Sequence, residues 1–190
     1  MSQDYITIVS GLPRSGTSMM MRMLDRGGRC AMTDGVRAAD DDNPRGYYEF
    51  EPVKTTKKDA SWLQQAAGKA VKMVYLLLYD LPPDYDYRVV FMNRNLKEVI
   101  ESQDAMLQRR GKSQGSMSPD ELIRNFETQL QKVNAWLESQ PHCRVLHVDY
   151  NEVMKDPQPP VQAVNEFLGG GLDTVAMLEA IDPALYHRRQ

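Results

Sequence analysis

The apolar positions of the chain fall into short continuous runs and longer amphipathic stretches that alternate. A continuous apolar run of about four to eight residues between turn signals is typical of a strand buried in a sheet. Four such runs predict strands at residues 5–10, near 71–74, at 87–94 ("YRVVFMNR") and at 144–150 ("RVLHVDY"). We therefore expect a sheet of four strands.

Helical periodicity fills most of the intervals between these runs. The clearest start signals are Thr17 after a glycine and the pair Ser118-Pro119, because serine is a favoured N-cap and proline a favoured first-turn residue. These signals predict helices over 17–27 and 119–139. Further helices are predicted at 52–67, 95–111 and in two or three short segments after the last strand, with a brief helix or irregular piece before Pro82. Residues 31–46 are predicted to be a long loop and 112–118 a link or lid.

Strands that alternate with helices favour a parallel sheet covered by helices on both faces. The sequence shows no internal repeat, so we expect residues 1–190 to form a single domain. In open parallel sheets, ligands bind at the carboxyl ends of the strands. Two arginine-bearing segments, "SGLPRSGTS" and "FMNR", follow or end such strands. They are the first candidates for a functional site.

Composition and charge narrow the class of protein. With 42% hydrophobic and 26% charged residues, the chain has the composition of an ordinary soluble globular protein. Its net charge of −3 argues against broad binding to nucleic acid, so an anion site has to be built locally. Cys30 and Cys143 are too few for a disulfide framework or a zinc site. No apolar stretch approaches about 18 residues and no signal peptide is evident, so we expect a cytoplasmic protein without a membrane or nucleic-acid partner.

The segment "SGLPRSGTS" at residues 10–18 has the composition of an anion-binding loop. A glycine-rich turn between a strand and a helix directs backbone N–H groups into a concavity, and the helix N-terminus adds about half a positive charge there. Arg14 adds a forked cation that suits phosphate or sulfate oxygens, and Thr17 and Ser18 add hydroxyl donors. The alternative is a plain turn that needs glycine only for its geometry, which the combination with Arg14 disfavours.

The loop lacks the lysine that nucleoside triphosphate sites use. The triphosphate form is G-x-x-x-x-G-K-[ST], and here Gly11 and Gly16 keep the spacing while Thr17 stands in the place of the lysine. Without that lysine, a kinase or ATPase loses its main contact with the terminal phosphates. We therefore expect a donor without β- and γ-phosphates.

The quoted residues resemble the sulfotransferases that use 3′-phosphoadenosine 5′-phosphosulfate (PAPS). "GLPRSGTS" looks like the family's 5′-phosphosulfate loop. "FMNRNLKEVIESQ" is similar to its second signature, in which an arginine at a strand end and a serine eight residues later bind the 3′-phosphate; here these are Arg94 and Ser102. "DNPRGYYE", "HVDYNEVMKDPQPPVQAVNEFLG" and "IDPALYHRR" resemble stretches of short bacterial members, so the resemblance spans most of the chain.

This resemblance implies a P-loop NTPase-like three-layer α/β fold, with a central parallel sheet flanked by helices. It also implies transfer of a sulfuryl group from PAPS to a hydroxyl or amine of a small molecule, glycan or lipid, without a metal. Preorganised donors aimed at the charge that develops in such a transfer contribute several kcal/mol. The residues implied to bind the donor are Arg14, Ser15, Gly16, Thr17, Ser18, Arg94 and Ser102, with Arg14 also acting in catalysis.

The acceptor also needs a base. In steroid- and phenol-type members this is the histidine of a "K-T-H" stretch, whose counterpart here is "VKMV": Lys72 is retained and is implied to be catalytic, but Val74 takes the place of the histidine. Other branches use a glutamate, for which Glu49 in "NPRGYYE" is the best match. A carboxylate serves as a base when burial raises its pKa. Asp34 and Glu51 are weaker candidates.

Two other functions stay open at the level of sequence. A P-loop kinase or NTPase finds support in "RVLHVD", an apolar strand that ends in the possible metal ligand Asp149. A nucleotide-binding domain without catalysis is the other, because the histidine and the carboxyl-terminal R-K-G-x-x-G clamp of larger members are missing. Arg188 and Arg189 are candidates to replace that clamp.

Overall fold

Four parallel strands form the centre of the protein. The computed structural model describes residues 5–35, 46–111 and 117–182. Within these ranges the strands pair in the order β2-β1-β3-β4, and each pair is parallel. Their bounds are Ile6–Gly11 for β1, Ala70–Lys72 for β2, Tyr87–Asn93 for β3 and Cys143–Asp149 for β4. The predicted strands are therefore confirmed.

Helices cover both faces of this sheet. The α-helices of the described ranges are α1 Thr17–Arg26, α2 Leu96–Arg109, α3 Pro119–Glu138, α4 Tyr150–Lys155, α5 Gln158–Phe167 and α6 Thr174–Glu179. Helices α2 and α3 pack on one face, and α1, α4, α5 and α6 pack on the other. This arrangement confirms the predicted three-layer α/β fold.

The central strand β3 explains why the strands are continuously apolar. Val89 and Phe91 contribute to the core beneath α2 and α3, whereas Val90 and Met92 contribute to the core beneath α1 and α5, and all four are at most 1% exposed. A strand with helices on both faces has no solvent side, so polar residues do not alternate with apolar ones.

The helix predicted at 52–67 is wrong. Two short 3₁₀ helices, Glu51–Thr55 and Ser61–Gln65, stand in its place. Local hydrogen bonds from small polar side chains compete with the α-helix here. Asp59 Oδ1 accepts from the backbone N–H of Ser61 at 2.9 Å, and Trp62 Nε1 donates to Thr56 Oγ1 at 3.2 Å, which folds the second segment against the first. A third 3₁₀ helix, Tyr75–Asp80, confirms the brief helix before Pro82.

The long helix α3 begins as its sequence predicts. Ser118 is the N-cap: its Oγ accepts from the N–H of Glu121, and the Glu121 carboxylate accepts from the N–H of Ser118 at 2.7 Å. Hydrogen bonds to the charged form hold the pKa of Glu121 below its usual value. No helix in the described ranges combines the length and the apolar character needed to cross a membrane.

The carboxyl ends of the strands meet at one edge of the sheet. Gly11 of β1 is in register with Met92 of β3, and Val9 of β1 with Lys72 of β2. The loop after β1, the end of β2 and the residues after β3 therefore lie side by side, as expected for the ligand edge of a parallel sheet.

Candidate functional site

The loop between β1 and α1 is a tight turn with strained backbone. The N–H of Ser15 donates to the carbonyl of Leu12 at 3.1 Å. Arg14 has φ 76° and Gly16 has φ 96°, both in the left-handed region. A non-glycine residue in this region costs about 1–2 kcal/mol and persists only where its surroundings hold it. Backbone strain at Arg14 therefore indicates that this loop belongs to a functional site.

The helix that follows presents its N-terminus at the edge of the sheet. Gly16 is the N-cap of the ten-residue α1, with no side-chain capping hydrogen bond and no acidic residue in the first turn. The first N–H groups of a helix have no partner within the helix, so this end is suited to an anion. The half-buried side chains of Thr17 and Ser18 lie in that first turn. The Ser15 side chain is instead 1% exposed, and its N–H is used by the turn.

Gly16 is required by space as well as by backbone conformation. A Cβ atom added at Gly16 would lie 2.4 Å from Cδ2 of Tyr150, well inside van der Waals contact. Tyr150 is the first residue of α4 and is 7% exposed. The second glycine of the motif thus permits close packing between the loop and the residue that follows β4.

Helix α2 joins the loop through side-chain hydrogen bonds. Arg14 Nε donates to Ser102 Oγ at 3.0 Å, and Gln103 Nε2 donates to the carbonyl of Pro13 at 3.0 Å. Ser102 lies in the second turn of α2, eight residues after Arg94. The structure therefore brings together Arg14 and Ser102, which the sequence assigned to two separate motifs.

Arg94 follows β3 and lies almost out of solvent, with a side chain 10% exposed. Its Nη1 donates to the carbonyl of Arg14 at 3.0 Å, and its Nε pairs with Glu98 Oε2 at 2.9 Å. Its guanidinium carbon lies 4.4 Å from the centroid of the Tyr150 ring, within the range of a cation–π contact. Arg94 lies at the end of β3, as the sequence predicts, and it also contacts the loop and forms an ion pair with Glu98 that the sequence analysis missed.

Lys72 approaches the loop from β2. Its Nζ donates to Ser18 Oγ at 3.3 Å and to the carbonyl of Tyr47, and Ser18 Oγ also donates to that carbonyl at 3.3 Å. The same ammonium lies 5.8 Å from the centroid of the Tyr47 ring. A second cation therefore lies at the start of α1.

Glu49 belongs to the segment that contacts Lys72 and Ser18 through the carbonyl of Tyr47. It lies two residues after Tyr47 and is half-buried. Its carbonyl accepts from the N–H of Asp34 at 3.2 Å and from Thr33 Oγ1 at 3.0 Å. Asp34 Oδ2 accepts from the N–H of Glu51 at 2.5 Å, and Glu51 forms an exposed pair with Lys54. Asp34 and Glu51 thus have local partners of their own.

His147, a member of β4, packs beside Phe91, and its Nδ1 lies 3.3 Å from Asn93 Nδ2. Partial desolvation by the protein lowers the pKa of His147, although Glu138 opposes the shift, so the protein favours the neutral ring. These contacts agree with a structural role for His147. His187, Arg188 and Arg189 lie outside the described residues.

Sequence reasoning missed Glu98, Asn151, Gln103 and Tyr150. Only Glu98 carried a usable signal, because a glutamate four residues after an arginine is a common helical ion pair. Tyr150 contacts Arg94 and Asn151 contacts Glu98 because α4 begins directly after β4, and no local pattern predicts these contacts.

The comparisons with known proteins agree with this geometry. A family model described as a sulfotransferase domain matches residues 4–188. The solved sulfotransferase domain from the curacin biosynthetic pathway is similar, with a TM-score of 0.57 and 16% identity over 96% of this chain and 79% of that chain. Sulfotransferase STF1 from Mycobacterium tuberculosis H37Rv has a TM-score of 0.60 and 17% identity, covering 98% and 74% of the two chains.

Mouse sulfotransferase SULT7A1, solved in complex with PAP, matches with a TM-score of 0.53 and 17% identity over 95% of this chain and 63% of that chain. No curated protein matches the chain. At such low identity the solved structures establish the fold, which is the P-loop NTPase-like fold of sulfotransferases, and the family model extends over nearly the whole sequence. The chain therefore belongs to the sulfotransferase family.

Proposed function

We propose that this protein transfers a sulfuryl group from PAPS to a hydroxyl or amine of its acceptor. The observation that carries the proposal is the 3.0 Å hydrogen bond from Arg14 to Ser102, which joins the two motifs at the ligand edge of the sheet. An adenosine that is phosphorylated at both its 5′ and 3′ positions would be held by both motifs together. The acceptor is proposed to be a small molecule, a glycan or a lipid, and the setting to be the cytoplasm.

The start of α1 suits the 5′ end of the donor. Its N-cap Gly16 has no side chain to bond the first N–H groups, and the half-buried hydroxyls of Thr17 and Ser18 lie in its first turn. Arg14 would add a cation beside these donors. Gly16 would allow the backbone to approach the anion, and Ser15 would contribute through the turn it closes rather than through its buried hydroxyl.

The residues after β3 suit the 3′-phosphate. Ser102 offers a half-buried hydroxyl that is already oriented by Arg14 Nε. Arg94 offers a guanidinium whose direction is fixed by Glu98 and by the ring of Tyr150. A hydroxyl and a forked cation are a favourable pair of donors for one phosphate group.

The donor supplies an activated sulfuryl group: a bond forms between sulfur and the acceptor atom, the bond from sulfur to the phosphate oxygen breaks, and adenosine 3′,5′-bisphosphate leaves. Negative charge grows on the departing oxygens during this step. Arg14 and Lys72 are cations on either side of the start of α1, so both would stabilise that charge. Donors fixed in advance are worth several kcal/mol in such a transfer.

Glu49 is the proposed base that accepts the proton of the acceptor. Its segment is tied to the loop, because the carbonyl of Tyr47 accepts from Ser18 Oγ and from Lys72. The backbone of Glu49 is itself fixed by Asp34 and Thr33. These bonds fix the backbone of the segment beside Lys72, and the Glu49 carboxylate would extend from there to the acceptor.

A turnover assay tests the proposal. The protein is incubated with PAPS and a panel of phenols, aliphatic alcohols, amines and sugars, and both the sulfated product and adenosine 3′,5′-bisphosphate are measured. We expect product that depends on the acceptor, its loss in Arg14→Ala, and its retention in Arg124→Ala, which changes an exposed arginine of α3. Nucleotide binding without a product from any acceptor would indicate a binding domain instead.

A further inference from the structure

A buried carboxylate adjoins the candidate site, and the proposal above uses only its contact with Arg94. Glu98 of α2 is 3% exposed. Its Oε2 accepts from Arg94 Nε at 2.9 Å, and its Oε1 accepts from Asn151 Nδ2 at 2.8 Å. Asn151 is oriented in turn, because its Oδ1 accepts from the backbone N–H of Asn95 at 3.1 Å. Glu98 thus joins α2 to the start of α4.

The same set of contacts ends at the loop. Arg94 Nη1 donates to the carbonyl of Arg14 at 3.0 Å, and the Arg94 guanidinium stacks on the ring of Tyr150. That ring is also the group that a side chain at Gly16 would strike. Arg14 and Gly16 are the residues of 12–16 with positive φ. The contacts therefore support the two backbone positions that give the loop its shape.

This support has a physical purpose. A non-glycine residue in the left-handed region persists only where neighbouring groups hold it, and the carbonyl of Arg14 is held by Arg94. Arg94 is nearly buried, so its charge needs a partner, and removal of one member of a buried pair leaves the other uncompensated. Glu98 is that partner, and Asn151 fixes the second oxygen of Glu98.

We propose that Glu98 and Asn151 are positioning residues: they fix Arg94, Arg94 fixes the backbone of Arg14, and the Arg14 loop is thereby preorganised for its anion. The identity of that anion rests on the function proposed above, whereas the coupling from Glu98 to the loop does not. The positioning residues act through Arg94 and contact neither the donor nor the acceptor.

The hydrogen bond between Glu98 and Asn151 allows a test in which the carboxylate and the amide are exchanged between the two positions. In Glu98→Gln the single amide oxygen can face Arg94, but the amide nitrogen then meets Asn151 Nδ2, another donor. Asn151 cannot turn to offer its oxygen without losing the N–H of Asn95. Asn151→Asp alone places two carboxylates against each other. The double variant Glu98→Gln with Asn151→Asp restores every donor–acceptor pair and keeps one negative charge.

Two measurements follow the loop in these variants. Amide hydrogen exchange of residues 12–18 is measured without ligand, and calorimetry gives the affinities for adenosine 3′,5′-bisphosphate and for AMP. We expect each single variant to raise the amide exchange rate of the loop and to lower the affinity for each nucleotide about tenfold, the scale seen when residues that support ligand groups are removed. The double variant should recover most of the slow exchange and most of the affinity. Glu101→Gln, on the exposed face of α2, is the matched control and should change neither.

Two other results would overturn the proposal. Lower thermal stability with unchanged exchange in 12–18 would mean that Glu98 stabilises the fold alone. A loss of affinity for the bisphosphate with unchanged affinity for AMP would mean that Glu98 acts through Arg94 on the 3′-phosphate site and not on the loop. Should Glu98→Gln fail to fold, Asn151→Ser at the half-buried start of α4 gives the same readouts. If the wild type binds neither nucleotide while loop exchange responds as expected, the donor assignment fails and the coupling stands.

Discussion

Arg14 donates from Nε to Oγ of Ser102 at 3.0 Å, although 88 positions separate the two residues in the chain. One belongs to the loop after β1 and the other to the second turn of α2. Their contact makes the ends of two strands parts of one site. A substitution at either residue should therefore change the orientation of the other side chain.

Removal of the Ser102 hydroxyl should reduce selectivity for the 3′-phosphate. We expect Ser102→Ala to lower the affinity for adenosine 3′,5′-bisphosphate about tenfold more than the affinity for AMP, because a hydrogen bond to a charged group contributes about 1.5–3 kcal/mol. Isothermal titration calorimetry of both nucleotides gives the ratio. Ser139→Ala, which removes an exposed hydroxyl at the end of α3, is the control. Equal losses for both nucleotides would remove Ser102 from the 3′-phosphate site.

A comparison of Gly16 with Gly28 separates the cost of backbone strain from the cost of a steric clash. Their φ angles are 96° and 95°, but an added Cβ meets Tyr150 at Gly16 and no atom within 4 Å at Gly28. We expect Gly28→Ala to cost about 1 kcal/mol of unfolding free energy from strain alone, and Gly16→Ala to cost about 1–3 kcal/mol more. Urea denaturation measures both. Similar losses would mean that the loop and Tyr150 separate freely.

Glu49→Gln should lower turnover more than donor affinity, because a general base contributes about 10²–10⁴-fold to rate and nothing to the binding of the donor. Steady-state kinetics with saturating acceptor separate kcat from the KM for PAPS. Glu51→Gln is the control, since Glu51 is an exposed glutamate that pairs with Lys54. An unaltered kcat in Glu49→Gln would show that another group accepts the proton.

The two cysteines should differ in reactivity. Burial raises the pKa of the Cys143 thiol to about 11, whereas Cys30 is exposed. A raised pKa leaves less thiolate at neutral pH, so iodoacetamide at pH 7.5 should modify Cys30 first. The rate at Cys143 should rise about tenfold per pH unit up to pH 10 and should approach that of Cys30 in denaturant. Peptide mass spectrometry measures both sites, and equal rates in the folded protein would contradict the burial of Cys143.

Much of this fold follows from local pattern. The strands are continuous apolar runs, and Ser118-Pro119 specifies the start of α3 as predicted. The segment 52–67 misleads because its length and composition permit a helix, while Asp59 and Thr56 form local hydrogen bonds that only the folded chain reveals.

The site was predictable to the extent that it consists of motifs. Arg14 and Arg94 follow from their places at strand ends and Ser102 from the resemblance to the family's second signature, and the structure brings the three together. The supporting residues Asn151 and Tyr150 come from a distant part of the chain, where nothing in the local sequence relates them to the loop. Glu49 was assigned from a resemblance alone, and its role stays a prediction.

The central claim is that one doubly phosphorylated adenosine spans the Arg14 loop and the Arg94–Ser102 pair. Calorimetric titration of the wild-type protein with adenosine 3′,5′-bisphosphate, AMP and ATP with Mg²⁺ tests it most directly. The account predicts that the bisphosphate binds at least about tenfold more tightly than either other nucleotide, because only it reaches both sets of donors. Equal affinities for all three, or tightest binding of ATP with Mg²⁺, would contradict it.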